Sequence, residues 1–314
     1  MSSYAIGVDI GGTSVKLGLF SNEGTLLEKW EIPTDTQEQG ERILPDIVRS
    51  IRQTLIDKQI SFDRIAGIGM GVPGPVDETG VVRKCVNLGW GVFNIKDRMT
   101  QLLPEIPTIA AGNDANVATL GELWQGGGKG HDSAVMFTLG TGVGGGVVLK
   151  GTVVPGFNGA AGEVGHITVE PLETEPCSCG KRGCLEQYAS ANGIVRLAKH
   201  MLAQCDTPSR LRALDRITAK DICDLARDGE SMSAAILDRC ADYLALAMSY
   251  VSCTVDPQIF LVGGGMSRAG SVLINAIAAH YRKYAFHACA QTPISEAKLG
   301  NDAGIFGCAA LILT

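Results

Sequence analysis

No stretch of this chain is apolar over a membrane-spanning length. The amino terminus, MSSYAIGVDIGG, has neither the charged start nor the apolar core of a secretory leader. Both absences lead to the expectation of a soluble, cytoplasmic protein without a membrane partner. Excess positive charge is missing too: 27 Lys and Arg stand against 33 Asp and Glu, a formal charge of −6. A nucleic-acid surface needs a basic face, so no nucleic-acid partner is expected. The phosphate-loop pattern G-x-x-x-x-G-K-[ST] occurs nowhere, which excludes the common NTPase class. No low-complexity linker interrupts the chain.

What is present is an ordinary globular balance, 45% hydrophobic and 19% charged over 314 residues, enough for two core-bearing lobes. Glycine is abundant, with 40 residues gathered in short clusters, a pattern suited to backbone that approaches a ligand closely. Strands are predicted over 4–9, 15–20 and 26–32. Ile43, Leu44, Ile47, Val48, Ile51 and Leu55 repeat at helical spacing. Further strands are expected over 65–70 and 108–111, then a helix over 115–124. The pattern restarts with strands at 134–139 and 146–149. Helices fill most of 190–250, a late strand covers 258–262, and a last strand over 296–299 precedes a helix from Asp302, itself read as a cap. The segments DIGGTSVKLGLF and TLGTGVGGGVVL share one layout of strand, Gly/Thr turn and strand, so one β-β-β-α-β-α unit is expected twice, with a ligand cleft between lobes and a glycine hinge near 126–130.

Both turns suit phosphate. Glycines let N–H groups close on phosphate oxygens, and threonine adds a hydroxyl. Asp9 ends the first strand, where a carboxylate can hold hydrated Mg²⁺. Lys16 adds charge only if it faces the cleft. Each turn alone reads equally well as a hairpin; their repetition favours the ligand. Gly140 to Gly145 fits G-x-G-x-x-G, but a dinucleotide site needs a helix next, and Val147-Val148-Leu149 is a strand pattern.

Three of the ten cysteines, Cys177, Cys179 and Cys184, fall within eight residues, and His166 lies eleven residues before Cys177. Three thiolates and an imidazole complete a closed tetrahedral shell, the structural kind of Zn²⁺ site. Gly180 and Gly183 permit the sharp turn this requires. The other seven cysteines read as buried apolar residues.

Gly162-Glu163-x-Gly165-His166 followed by Cys-x-Cys-Gly-x-x-Gly-Cys-x-Glu, ending at Glu186, resembles the signature of the ROK family of repressors and sugar kinases. DIGGT, GVPGPV, GNDAN, GTGVGGG and the late VGGG extend the similarity over nearly the whole chain. The resemblance implies two actin-like, RNase H-like α/β lobes flanking a cleft, as in the hexokinase, Hsp70 and actin superfamily. Residues 1–125, completed by helix 301–314, form the smaller lobe, and 126–300 the larger. It implies ATP, Mg²⁺ and structural Zn²⁺, with Asp114 as catalytic base. Asn113, Asp114, Glu163, His166 and Glu186 match sugar contacts, joined by Asn87 and the backbone at Gly74. Asp9, Gly11, Gly12, Thr13, Lys16, Gly140, Thr141 and Gly142 correspond to the phosphate side, and Gly264 and Gly265 to the glycines beside adenosine.

By local sequence alone Asp114 reads as a helix cap and Glu163 and Glu186 as surface carboxylates; a zinc-rigidified loop is what turns the latter into fixed sugar readers. The implied activity is ATP-dependent phosphorylation of the 6-hydroxyl of glucose, since 183–191 and 87–90 look most like the glucokinase branch. N-acetylmannosamine, N-acetylglucosamine, fructose or allose are the alternative sugars. A sugar-sensing repressor needs a DNA-binding domain, for which the ten residues before the first turn leave no room, and a chaperone-type ATPase lacks the zinc segment. A homodimer or homotetramer is implied.

Overall fold

A computed structural model describes residues 3–314. The chain divides into two compact units. One holds residues 3–132, Gly146–Gly162 and Asn301–Thr314; the other holds Ser133–Gly145 and Glu163–Gly300. Gly146–Gly162 lies inside the 126–300 stretch that sequence gives to the larger lobe, yet groups with the first unit.

The first unit opens with an antiparallel meander, β1 (Tyr4–Ile10), β2 (Ser14–Ser21) and β3 (Leu26–Pro33). Beside β1, in parallel, lies β4 (Ile65–Val72). After a small hairpin of β5 (Val81–Val82) and β6 (Phe93–Asn94) comes β7 (Ile109–Asn113), parallel to β4. The sheet order is β3-β2-β1-β4-β7. Alternating exposure, lysine and a terminal proline suit β3 to the edge. Helix α1 (Ile43–Asp57) buries the whole predicted apolar stripe, and Ile47 and Ile51 join Ile6, Val8, Leu17 and Ile68 in one core with α2 (Ile95–Leu102). Helix α3 (Asp114–Gln125) packs on the C-terminal helix (Ala303–Leu313), which also lies against β1 and β4.

The second sheet contains β8 (Ala134–Leu139), β9 (Val143–Leu149), β10 (Thr152–Val153), β11 (Ile259–Gly263) and β12 (Ile294–Glu296), in the order β10-β9-β8-β11-β12. β11 runs parallel to both β8 and β12. Each sheet thus follows the same path, which bears out the repeat read from the two glycine turns. In the second unit, α4 (Glu186–Ala189), α5 (Ala191–Gln204), α6 (Ala219–Arg227), α7 (Ser231–Val255) and α8 (Ser271–Tyr284) supply the helical layer. Buried Ile236, Leu244 and Met248 of α7 form much of its apolar face. The last strand begins two residues earlier than expected and stops at Glu296. Of the seven cysteines read as buried, Cys253 is exposed and Cys205 half-buried; the other five are buried. Among the described residues no helix is long and apolar enough to cross a membrane.

Candidate functional site

In the first unit, the turn after β1 is closed by Gly11 N–H donating to the Ser14 carbonyl at 2.9 Å. Thr34 braces it from beyond β3: its hydroxyl donates to the Gly11 carbonyl at 2.7 Å, and its N–H to the Thr13 carbonyl at 3.0 Å. Gly12 and Thr13 are exposed. Asp9 lies beneath this turn. Burial, then the Asp114 carboxylate, push its carboxyl up from 3.8 to about 6, and Lys16 pulls the other way. Its carboxyl lies against Gly304 at the start of the C-terminal helix, where any Cβ would meet the carboxyl carbon at 2.5 Å. Lys16 donates to the Asn301 carbonyl at 3.2 Å, so its ammonium is held at the same helix end while acting on Asp9. Asp302 takes the N-cap position, but its side chain caps nothing and pairs with Lys29 at 2.7 Å.

β7 delivers Asn113 and Asp114. Asn113, not Asp114, caps α3: its Oδ1 accepts from Ala115 N–H at 3.0 Å and Asn116 N–H at 3.2 Å. Its Nδ2 donates to the Gly74 carbonyl at 3.2 Å and to Asp114 Oδ1 at 2.9 Å. Asp114 Oδ1 also accepts from Ala115 N–H at 2.8 Å, so the carboxylate is held by both the cap residue and the first turn of α3, and the GVPGPV turn is tied to it through Gly74. That turn is braced from behind by Cys85, whose thiol donates to the Pro73 carbonyl at 2.8 Å. Burial pushes this thiol up. Asn87 is exposed and within 3.9 Å of where a Cβ on Gly12 would stand, beside the turn after β1.

In the second unit, His166, Cys177, Cys179 and Cys184 bring one ligand atom each to within 4.8 Å of one another. Cys179 and Cys184 sulfurs are 3.7 Å apart, and His166 Nδ1 is 3.9 Å from Cys177 Sγ. A tetrahedron with metal–sulfur bonds of about 2.3 Å has edges of about 3.8 Å, so the spacing fits zinc. Burial, then hydrogen bonds from the neighbouring sulfurs, push the Cys184 thiol up to about 12. Nδ1 faces the sulfurs, leaving Nε2 of His166 for another partner. Positive φ at Gly180 (85°) and Gly183 (72°) makes the turn, as the spacing predicts.

Glu186 opens α4. Its Oε2 accepts from Val143 N–H at 3.0 Å, and its Oε1 from the Ser178 hydroxyl at 2.8 Å. Glu163 starts the short turn that carries His166, whose N–H donates to the Glu163 carbonyl at 3.1 Å. Gly140, Thr141 and Gly265 line one cavity of about 560 Å³ together with Lys220, Cys223 and Met266, a volume typical of a small-molecule site. Gly264 (φ 86°) sits behind it against the Leu139 backbone. The α6 wall of this cavity, Thr34, Cys85 and Ser178 are absent from the site residues read from the sequence. So is Arg196, which stacks on Tyr188 at 4.9 Å and pairs with Glu173 at 2.6 Å and Glu175 at 3.0 Å. The Arg196 hydrogen bond is the main reason the Glu173 carboxyl falls to about 2, and the pair pins the approach to Cys177.

The sequence model described as the ROK family matches residues 5–314. A protein of Halalkalibacterium halodurans named glucokinase is 39% identical over 309 residues, 97% of this chain and 93% of the relative. One of Thermotoga maritima, also named glucokinase, is 36% identical over 98% of this chain and 96% of its own length. Among solved structures, a ROK family glucokinase from Streptomyces griseus in complex with glucose and AMPPNP is similar with a TM-score of 0.73 at 31% identity, covering 99% of each chain. Similarity that spans both sheets, the glycine turns and the cysteine turn alike places this chain in the ROK family.

Proposed function

We propose that this chain is a cytoplasmic glucokinase that transfers the γ-phosphoryl group of ATP to the 6-hydroxyl of glucose. The observation that carries the reading is Asp114: a carboxylate at the junction of β7 and α3, held by Asn113 and the Ala115 N–H and tied through Asn113 to the Gly74 turn. Relatives named glucokinase at 39% and 36% identity support glucose as the sugar. In the step, the glucose O6 bonds to the γ-phosphorus, the bond from that phosphorus to the bridging oxygen of ADP breaks, and the O6 proton goes to Asp114. Phosphoryl transfer asks mainly for positioning and charge neutralisation. Gly11, Gly12, Thr13, Gly140, Thr141 and Gly142 supply N–H and hydroxyl donors for the phosphates, and Gly264 and Gly265 flank the adenosine.

Mg²⁺, when bound, would neutralise phosphate charge, and Asp9 is the residue that would hold it through water. Gly74, Asn87, Asn113, Glu163, His166 and Glu186 read the hydroxyls of the sugar. Zinc would be held by Cys177, Cys179, Cys184 and His166 Nδ1, a closed shell that orients His166 without touching the reacting atoms. The test is ATP-dependent turnover of glucose against N-acetylmannosamine, N-acetylglucosamine, fructose and allose. Preference for another hexose keeps the fold and the base and overturns the substrate.

A further inference from the structure

Both oxygens of Glu186 are engaged, and by different ligand-binding turns. Oε1 accepts the hydroxyl of Ser178, which stands between the metal-facing residues Cys177 and Cys179. Oε2 accepts the N–H of Val143, the residue that ends the Gly140-Thr141-Gly142 turn and starts β9. The fit is tight: a Cβ on Gly142 would stand 2.3 Å from Glu186 Oε2. Val143 meets the other sugar-reading segment as well. Its carbonyl lies where a Cβ on Gly165 would come within 2.0 Å, so the backbone between Glu163 and His166 rests directly on it. Ala191 N–H then ties the Gly140 carbonyl at 2.8 Å, fixing the turn from the far side of α4.

We propose that Ser178 is a positioning residue, and that through Glu186 it joins the cysteine turn to the phosphate turn, so that sugar affinity and nucleotide affinity depend on one hydroxyl that touches neither ligand. This deepens the glucokinase reading and rests on it for the role of Glu186. A donor at position 178 is needed for a physical reason. Glu186 Oε1 also lies 3.9 Å from Cys177 Sγ. A metal-bound thiolate there repels a carboxylate, and the Ser178 O–H supplies the opposing attraction. Each Glu186 oxygen keeps a further lone pair, so the carboxylate can still accept a sugar hydroxyl while it is held.

The experiment is calorimetric titration of zinc-loaded wild type, Ser178→Ala and Ser178→Thr with glucose and, separately, with AMPPNP, alongside steady-state kinetics and zinc content. Ser178→Ala is expected to bind glucose roughly tenfold more weakly, the effect of one hydrogen bond to a charged group. AMPPNP affinity falls severalfold, kcat at saturating substrates stays within about threefold, and zinc content is unchanged. Ser178→Thr, which retains the hydroxyl, restores both affinities. Wild-type affinities for both ligands in Ser178→Ala overturn the proposal. So does loss of zinc from Ser178→Ala, because the effect would then belong to the metal. If the wild type turns over no hexose while Ser178→Ala still weakens AMPPNP binding, the glucokinase reading fails and the link between the two turns stands.

Discussion

Replacing Asp9 by asparagine should make the protein more stable and a poorer catalyst at the same time. Asp9 is largely buried and faces the Asp114 carboxylate, and these together raise its carboxyl from 3.8 to about 6. At about 1.4 kcal/mol per pH unit, holding this group ionised costs the folded state roughly 3 kcal/mol at pH 8. The sign follows from proton binding. A carboxyl with a raised folded value takes up its proton earlier in the folded state than in the unfolded chain, so stability increases as pH falls through about 6, and the penalty is gone below about 3.8. Asp9→Asn removes the charge while keeping the shape that Gly304 accommodates. In urea unfolding without Mg²⁺ or nucleotide, the variant should exceed wild type by up to about 3 kcal/mol at pH 8, with the gap narrowing to about 1 kcal/mol as pH drops to 4.5. In turnover the same variant should show a raised Mg²⁺ requirement and a lower kcat/KM, a conflict between stability and function common at charged sites. Equal stability at pH 8, or a gap that does not change with pH, would refute this account of Asp9.

Two further outcomes follow from the site. Asp114→Asn should lower kcat by roughly 10²- to 10⁴-fold, the usual contribution of a general base, while glucose still binds within a few-fold of wild type; near-normal kcat removes Asp114 from that role. Cys184→Ser should lose zinc by elemental analysis and raise the glucose KM at least tenfold through a disordered His166 and Glu186, and a zinc-free, folded variant with wild-type glucose affinity would show that the metal does not orient the sugar readers.

The repeated sheet was legible because each copy carries its own local signature, an apolar strand, a Gly/Thr turn and a second strand. The cysteine turn was legible because its three cysteines and two glycines lie within eight residues of one another. Features made by distant partners were not. The strand expected over 296–299 is instead Ile294–Glu296, since its place is set by pairing of Ile294 with Phe260, and no local apolar run marks it. β9 begins at Val143, inside what reads as a glycine turn, and the Val143 N–H is taken by a side chain 43 residues away. The first unit takes back Gly146–Gly162 although no change in composition announces it. Thr34, Ser178 and Arg196 are ordinary polar residues in sequence and acquire meaning from what they brace. Asp114 was ambiguous between cap and base, and the side chain of Asn113 resolves which residue caps.

The central claim is tested most directly by a coupled ATP-consumption assay that yields kcat/KM for glucose, N-acetylmannosamine, N-acetylglucosamine, fructose and allose on zinc-loaded protein. The account predicts the highest value for glucose, with glucose 6-phosphate as product. A higher value for an N-acetylated sugar would contradict the substrate assignment, and no turnover of any hexose would contradict the kinase itself.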